Sequence, residues 1–260
     1  MKQEGIKAKL KIHKNFTDSL FQLTEKLLNK AGVKYHTVEK RTKTLDSITE
    51  KLDRKEIQNV EDLTDITGLR IILYYQDDVD RVEEIIRTNF EIDKLNSVDK
   101  SKLYNSNEFG YLSVHYIISL SGIRITLPEW SDFHELKAEL QIRTVLQHSW
   151  ASISHELSYK KSYDVPKELE RRLFRLAGLF ELADEQFLRI RDEHNNLKDK
   201  IGSMHSQNKI EKEKVTFLTI SYLFQPDKLL EIVKEIEDIA LEAGFRNIQE
   251  PKLDDKYVSE

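Results

Sequence analysis

From Glu139 to Arg143 polar and apolar side chains alternate strictly: Glu139, Gln141 and Arg143 on one side, Leu140 and Ile142 on the other. Successive side chains of an extended strand point to opposite faces. The segment therefore belongs to a sheet with one apolar face, which other elements must cover, and one face bearing three polar groups. A sheet face covered by water accepts that pattern, and so does the wall of a charged cleft. The apolar strand context, LKAELQIRT, matches the cleft wall better.

The remaining pattern supplies the partners such a strand needs. Phe16, Leu20, Leu23, Leu27 and Leu28 recur at helical spacing, and Gly32 is placed to cap that helix. An extended piece, Val33 to Val38, follows. Thr44 to Leu52 reads as helix, with Leu45, Ile48 and Leu52 on one side and Ser47 and Lys51 four apart on another. Leu69 to Tyr75 (LRIILYY) reads as a buried strand and Asp77 to Thr88 as an amphipathic helix. Phe90 to Val98 and a polar loop lead to a strand over Leu112 to Leu120. A turn at Ser121-Gly122 leads to Arg124 to Leu127 as a further strand piece, and the last strand covers Leu136 to Arg143. Thr144 to Tyr159 reads as helix. Pro166 to Ile201 reads as one long helix or a helical pair, with Pro166 in the first turn.

The expected fold is α+β, a mixed sheet flanked by helices, with a C-terminal helical segment and a small strand–helix appendage. The expected domains are 1–202, a linker over 203–215, and a module over 216–260 with a strand at Thr216 to Phe224 and a helix at Pro226 to Ala243. A lone strand–helix unit cannot bury both its faces. It packs on the first domain, pairs with a second chain, or belongs to a larger domain.

Composition narrows the function classes. The chain has 260 residues, 39% of them hydrophobic, without an apolar run long enough to cross a bilayer. Its start, MKQEGIKAKLKIHKNF, lacks the apolar core of a secretory signal. The chain has no cysteine, which excludes disulfides and thiolate metal sites. These features point to a cytoplasmic protein. A net charge of −5 argues against broad nucleic-acid affinity. Lysine and arginine are nonetheless bunched in KLKIHKNF, in KRTK at 40–43 and in KKSYDVPKELERR at 160–172, each of which alone reads as a solvated helix face.

Four segments carry chemistry: Arg41-x-Lys43-x-x-x-Ser47-x-x-x-Lys51; Asp65-x-x-Gly68-x-Arg70 at the head of a strand; Gly110-Tyr111-x-Ser113-x-His115; and Glu139-x-Gln141-x-Arg143-Thr144 with Trp150, Ala151, His155, Tyr159 and Lys160 downstream. Each is common alone. In this order they resemble the RelA/SpoT synthetase family, especially its small single-domain members, over roughly half of the chain.

That resemblance implies a nucleotidyltransferase-like fold and transfer of the β,γ-pyrophosphate of ATP to the 3′-hydroxyl of GDP or GTP, making the alarmone (p)ppGpp and releasing AMP. Such a transfer is catalysed mainly by positioning and charge stabilisation, which is why ATP needs several cations. The resemblance assigns Arg41, Lys43, Lys51 and Arg70 to ATP, and Ser47 can add a neutral donor beside Lys51. It makes Asp65 a ligand of Mg2+, and Glu139 a second one or the group that deprotonates the acceptor. Tyr111 stacks on the acceptor base, with His115, Gln141 and Arg143 on the acceptor side. His155 and Tyr159 are expected to brace the site, and Trp150 to lie in the core. A homo-oligomer is implied as well, and the C-terminal module is read as an interaction module for a regulatory protein. No His-Asp doublet of a metal-dependent phosphohydrolase is present, so a product-degrading activity is not expected.

One departure bears on the acceptor. Small synthetases carry Pro-Lys just before Gly-Tyr, whereas this chain reads VDKSKLYNSNEFGYLSVHY, its nearest lysine, Lys102, nine residues before Tyr111, and Glu108 close by. Two alternatives stay open for that reason. One is a toxic small synthetase that modifies tRNA 3′ ends or adenosine nucleotides. The other is a non-catalytic regulator that binds a nucleotide, against which the retention of both Asp65 and Glu139 counts.

Overall fold

In the computed structural model of the chain, residues 2–55, 59–99, 113–159, 167–206 and 226–242 are described. Helix α1 (Lys2–Lys30) ends where Gly32 adopts a positive φ of 66°. The Val33 N–H reaches back to Leu28 O at 3.1 Å and the Gly32 N–H to Asn29 O at 3.1 Å. This pair of bonds closes the helix as a Schellman motif, for which glycine is suited because it adopts left-handed backbone without a Cβ clash.

Six strands form one mixed sheet in the order β1-β2-β6-β5-β3, with β4 also paired to β5. They are β1 (Tyr35–Thr42), β2 (Thr67–Leu73), β3 (Phe90–Ile92), β4 (Val98–Asp99), β5 (Val114–Leu120) and β6 (Ala138–Thr144). β2 and β6 run parallel, with Gly68 opposite Glu139 and Arg70 opposite Gln141. β1 runs antiparallel to β2, placing Arg41 beside Gly68 and Glu39 beside Arg70. β5 runs antiparallel to β6, with His115 opposite Gln141. The period of two thus divides the sheet. Val38, Leu69, Ile71, Val114, Leu140 and Ile142 join the main core beneath α1 and α3 (Asp77–Asn89), against Phe16, Leu20, Val82 and Ile86. The opposite face carries the polar set.

The observed elements differ from the sequence reading in three places. The extended piece expected at Val33 to Val38 is a strand that continues to Thr42. Its second half, EKRT, has no apolar alternation, and pairing with β2 extends it. Arg124 to Leu127, read as strand, lies in a short helix, α4 (Gly122–Ile125), and the turn after it. Ser121 O accepts the N–H groups of Arg124 and Ile125, and Pro128 opens a 3-10 segment, Pro128–Phe133. Lastly, the basic segment KLKIHKNF is not wholly solvated, since His13 is buried.

Helix α2 spans Leu45–Lys55, α5 Val145–Tyr159, α6 Lys167–Ser206 and α7 Pro226–Glu242. The chain divides into two compact units, 1–189 and 190–260. α6 runs through residues 203–206, the start of the expected linker. The rest of that linker and the expected strand Thr216 to Phe224 lie outside the described residues. Among the described residues no helix is long and apolar enough to cross a membrane.

The β6–α5 junction is a buried polar knot. Thr144 Oγ1 accepts the Gln147 N–H at 3.1 Å, and Gln147 Oε1 accepts the Thr144 N–H at 2.9 Å, a reciprocal capping box. The Thr144 hydroxyl in turn donates to Asp184 Oδ2 of α6 at 2.7 Å. Asp184 is only 5% exposed, and burial pushes its carboxyl up to about 6 although the threonine bond opposes this. An acid with a raised folded-state pKa contributes its full stability below the unfolded value, 3.8, and loses it as pH rises through about 6. Asp184→Asn keeps an acceptor for Thr144 and removes the charge. The variant should match wild type in denaturant midpoint near pH 4 and exceed it above pH 6, by up to roughly 3 kcal/mol; a constant difference across that range would show that Asp184 does not titrate there.

Candidate active site

The polar sheet face opens into two adjoining cavities. One, of about 600 Å3, is lined by Glu39, Arg41, Lys43, Asp65, Arg70 and Glu139, among others. The other, of about 710 Å3, is lined by His115, Arg143, Trp150, Ala151 and His155, among others. Arg41, Arg70 and Gln141 line both. All three belong to the divided face of the sheet, so the register that fixes the strands also fixes the cleft.

Asp65 is held just ahead of β2. Ile66 and Leu63 on either side of it pack in a small core with Ile48 of α2, and the Lys43 N–H donates to Ile66 O at 2.9 Å. These contacts bring β1, α2 and the head of β2 to one point. Lys43 Nζ lies 2.6 Å from Asp65 Oδ2, and Lys51 Nζ bonds the same oxygen. Asp65 Oδ1 is buried with no hydrogen-bond partner among the described residues. Burial raises the Asp65 carboxyl, but the two ammoniums together outweigh it and hold it below the usual carboxylate value. Burial likewise lowers Lys43, against the pull of Asp65.

The basic segment at 40–43 divides by strand alternation. Lys40 turns to the α1 side, pairing with Asp18 at 2.7 Å and lying over the Phe21 ring. Arg41 turns to the cleft, and Lys43, just past the strand, to Asp65. Ser47 is placed differently from its expected partner Lys51. The Thr44 hydroxyl donates to Ser47 Oγ at 3.0 Å and accepts the Ser47 N–H at 3.3 Å. Ser47 thus takes part in the start of α2; neither it nor Lys51 lines either cavity, but Lys51 bonds Asp65, which does.

On β2 and β6, Arg70 donates to Glu39 Oε2 at 2.7 Å and to Gln141 Oε1 at 3.3 Å. Arg143, 5% exposed, also donates to Gln141 Oε1. One amide oxygen therefore sits between two guanidiniums, which a neutral acceptor tolerates without adding charge. Glu139 Oε1 lies 3.1 Å from His115 Nδ1, and this bond, working against burial, holds the carboxyl below its ordinary value. His115 Nε2 is buried without a hydrogen-bond partner among the described residues.

Trp150, expected in the core, is half-buried and lines the larger cavity, its indole N–H bonded to Leu173 O at 3.0 Å. Its side of α5 covers a cavity on the polar sheet face instead of packed side chains. His155 lines the same cavity. Glu39 escaped the sequence reading; its only signal was its place two residues before Arg41, on the same strand face. Tyr111 and the side chain of Tyr159 lie outside the described residues. Among the described residues no group of three His, Cys, Asp or Glu could hold a metal ion by itself.

Comparison with known proteins gives this cleft a family. Residues 40–164 match the family described as "Region found in RelA / SpoT proteins". The GTP pyrophosphokinase YjbM of Bacillus subtilis is 34% identical over 158 residues, 59% of this chain and 70% of that protein. The crystal structure of small alarmone synthetase 1 from B. subtilis bound to its product pppGpp aligns with a TM-score of 0.60 and 28% identity, covering 73% of this chain and 98% of that one. The same synthetase bound to AMPCPP aligns with a TM-score of 0.55 and 26% identity, covering 73% and 98%. The matched span holds the end of β1, the other cleft strands, α2 and all of α5, and the chain belongs to the RelA/SpoT family, with small pyrophosphokinases among its relatives.

Proposed function

We propose that the chain transfers the β,γ-pyrophosphate of ATP to the 3′-hydroxyl of GDP or GTP. The acceptor oxygen bonds to the β-phosphorus, the bridge to the α-phosphate breaks, AMP leaves with the bridging oxygen, and the hydroxyl proton is released. The observation that carries this reading is the pair of joined cavities: one rich in cations and holding the carboxylates Asp65 and Glu139 besides Glu39, the other walled by His115 and Trp150, with Arg41 and Arg70 common to both. The solved relatives bound to AMPCPP and to pppGpp support nucleotide substrates.

Arg41, Lys43, Lys51 and Arg70 neutralise the ATP phosphates in this reading. Asp65 and Glu139 hold Mg2+, which would supply charge neutralisation on the transferred group. The residues fit that ion. Both carboxylates line one cavity, Asp65 has an oxygen to spare, and Mg2+ takes one or two carboxylates plus substrate phosphates rather than a full protein cage. His115, Gln141 and Arg143 face the acceptor in this reading, and Tyr111, which lies outside the described residues, is assigned to the acceptor base. The missing Pro-Lys before Gly110 favours a second reading in which an adenosine nucleotide or a tRNA 3′ end replaces the guanosine nucleotide.

Incubation with γ-labelled ATP and Mg2+ against GDP, GTP, GMP, ATP and deacylated tRNA tests both. Label on GDP or GTP is expected; label on tRNA or on an adenosine nucleotide overturns the acceptor, and no transfer overturns the reaction. Asp65→Asn and Glu139→Gln should each cut AMP release on the order of 100-fold or more while circular dichroism shows the fold retained at the assay temperature. Near-normal turnover in either would remove that carboxylate from the site. At Gly68 an added Cβ would meet only Arg41 O at 3.7 Å and Glu139 O at 4.0 Å, ordinary contacts. Gly68→Ala should therefore fold and bind AMPCPP, whereas Gly68→Leu should fold and fail to bind it in calorimetric titration. Binding by the leucine variant would place the nucleotide elsewhere.

A further inference from the structure

Lys43 and Lys51 both engage Asp65 Oδ2, and the three side chains are largely withdrawn from water, 18% exposed for each lysine and 20% for the aspartate. Two ammoniums against one carboxylate leave this corner with a net positive charge. A divalent cation arriving alone meets repulsion that partial burial screens poorly. The neighbouring cations are committed too, Lys40 to Asp18 and Arg70 to Glu39, each at 2.7 Å. Charge destined for phosphates is therefore stored on a carboxylate destined for a metal.

We propose that Lys43 and Lys51 form a latch that closes Asp65 to divalent cations until a nucleoside triphosphate draws both ammoniums onto its phosphates, so that metal and nucleotide load together and the metal does not bind first. This rests on the assignment of the smaller cavity to ATP. The exchange leaves no charge unpaired. Each lysine passes from one anion to another, which its flexible stem and point-like charge permit. Asp65, released at Oδ2 and without a partner among the described residues at Oδ1, then faces the cation that the phosphates bring. Because coupling between two ligands is reciprocal, the metal must tighten the nucleotide by the factor by which the nucleotide tightens the metal.

Mn2+ is the probe, titrated into the full chain and read by the electron spin resonance of the free aquo ion. Wild type should bind Mn2+ weakly alone, and Mn2+ should tighten AMPCPP in calorimetry. Lys51→Met, which keeps the stem and removes the charge, should tighten Mn2+ binding without nucleotide on the order of tenfold or more. Adding Asp65→Asn to it should abolish that gain. Lys51→Gln serves if the methionine variant melts early in EDTA. The latch is refuted if wild type binds Mn2+ alone as tightly as the Lys51 variant does. If AMPCPP does not bind wild type at all, the ATP assignment falls, while the comparison of Mn2+ affinities without nucleotide still decides whether the lysines close Asp65.

Discussion

The parallel pairing of β2 with β6 is the constraint on which the rest of the molecule depends. It sets Gly68 beside Glu139 and Arg70 beside Gln141, at the centre of the sheet. Parallel neighbours cannot be joined by a hairpin, so the chain between Leu73 and Ala138 must leave and return, and it uses that path to build α3, β3, β4 and β5. A slip of one residue would turn Leu140 and Ile142 outward and bury Glu139 and Arg143 beneath α1. The core therefore chooses the register, and the register assembles the cleft.

Within the cleft, placement follows from what each charge finds when water is withdrawn. A half-buried ion is costly unless paired, and a pair broken on one side is costlier still. Asp65 answers with two lysines, Glu139 with His115, and Arg70 with Glu39. Gln141 accepts from Arg70 and Arg143 without bringing a charge of its own. The cleft thus keeps an excess of positive charge, much of it engaged in internal pairs, and a polyanion that enters it competes with those pairs for the cations. Tight binding then requires more than one phosphate, because one phosphate cannot replace several carboxylate contacts at once.

How much of this was legible in the sequence depends on what decides each feature. β6 was legible because burial on one face imposes a period of two. Gly32 was legible because the helix end needs left-handed backbone there. Asp65, Lys43 and Lys51 could be named from motif order, and the structure brings the three together. The second half of β1 was not legible, since a polar edge strand is held by its neighbour's hydrogen bonds and not by its own pattern. Ser47 shares a helix face with Lys51, but the Thr44 hydroxyl, drawn to the unsatisfied Ser47 N–H at the helix start, also donates to Ser47 Oγ. Trp150 was misplaced because size and apolarity give a residue's preference for burial without saying whether a cavity lies beside it.

The cleft is also held from behind by groups that carry no charge. His13 Nδ1 lies 3.0 Å from Thr67 Oγ1, and Thr17 Oγ1 lies 2.9 Å from Thr42 Oγ1 and donates to Thr67 Oγ1 at 3.2 Å. These bonds tie α1 to the last residue of β1 and the first of β2, the points from which Lys43 and Asp65 depart. Burial, with a smaller push from Lys9, lowers the His13 imidazole to about 4. It is therefore neutral at physiological pH, and its side-chain hydrogen bond to β2 is to the Thr67 hydroxyl. A carboxylate in its place would be a buried charge in need of a cation, and so a competitor for those of the cleft. A neutral knot fixes the strand ends without entering that contest, which leaves Asp65 as the single anion on which both lysines converge.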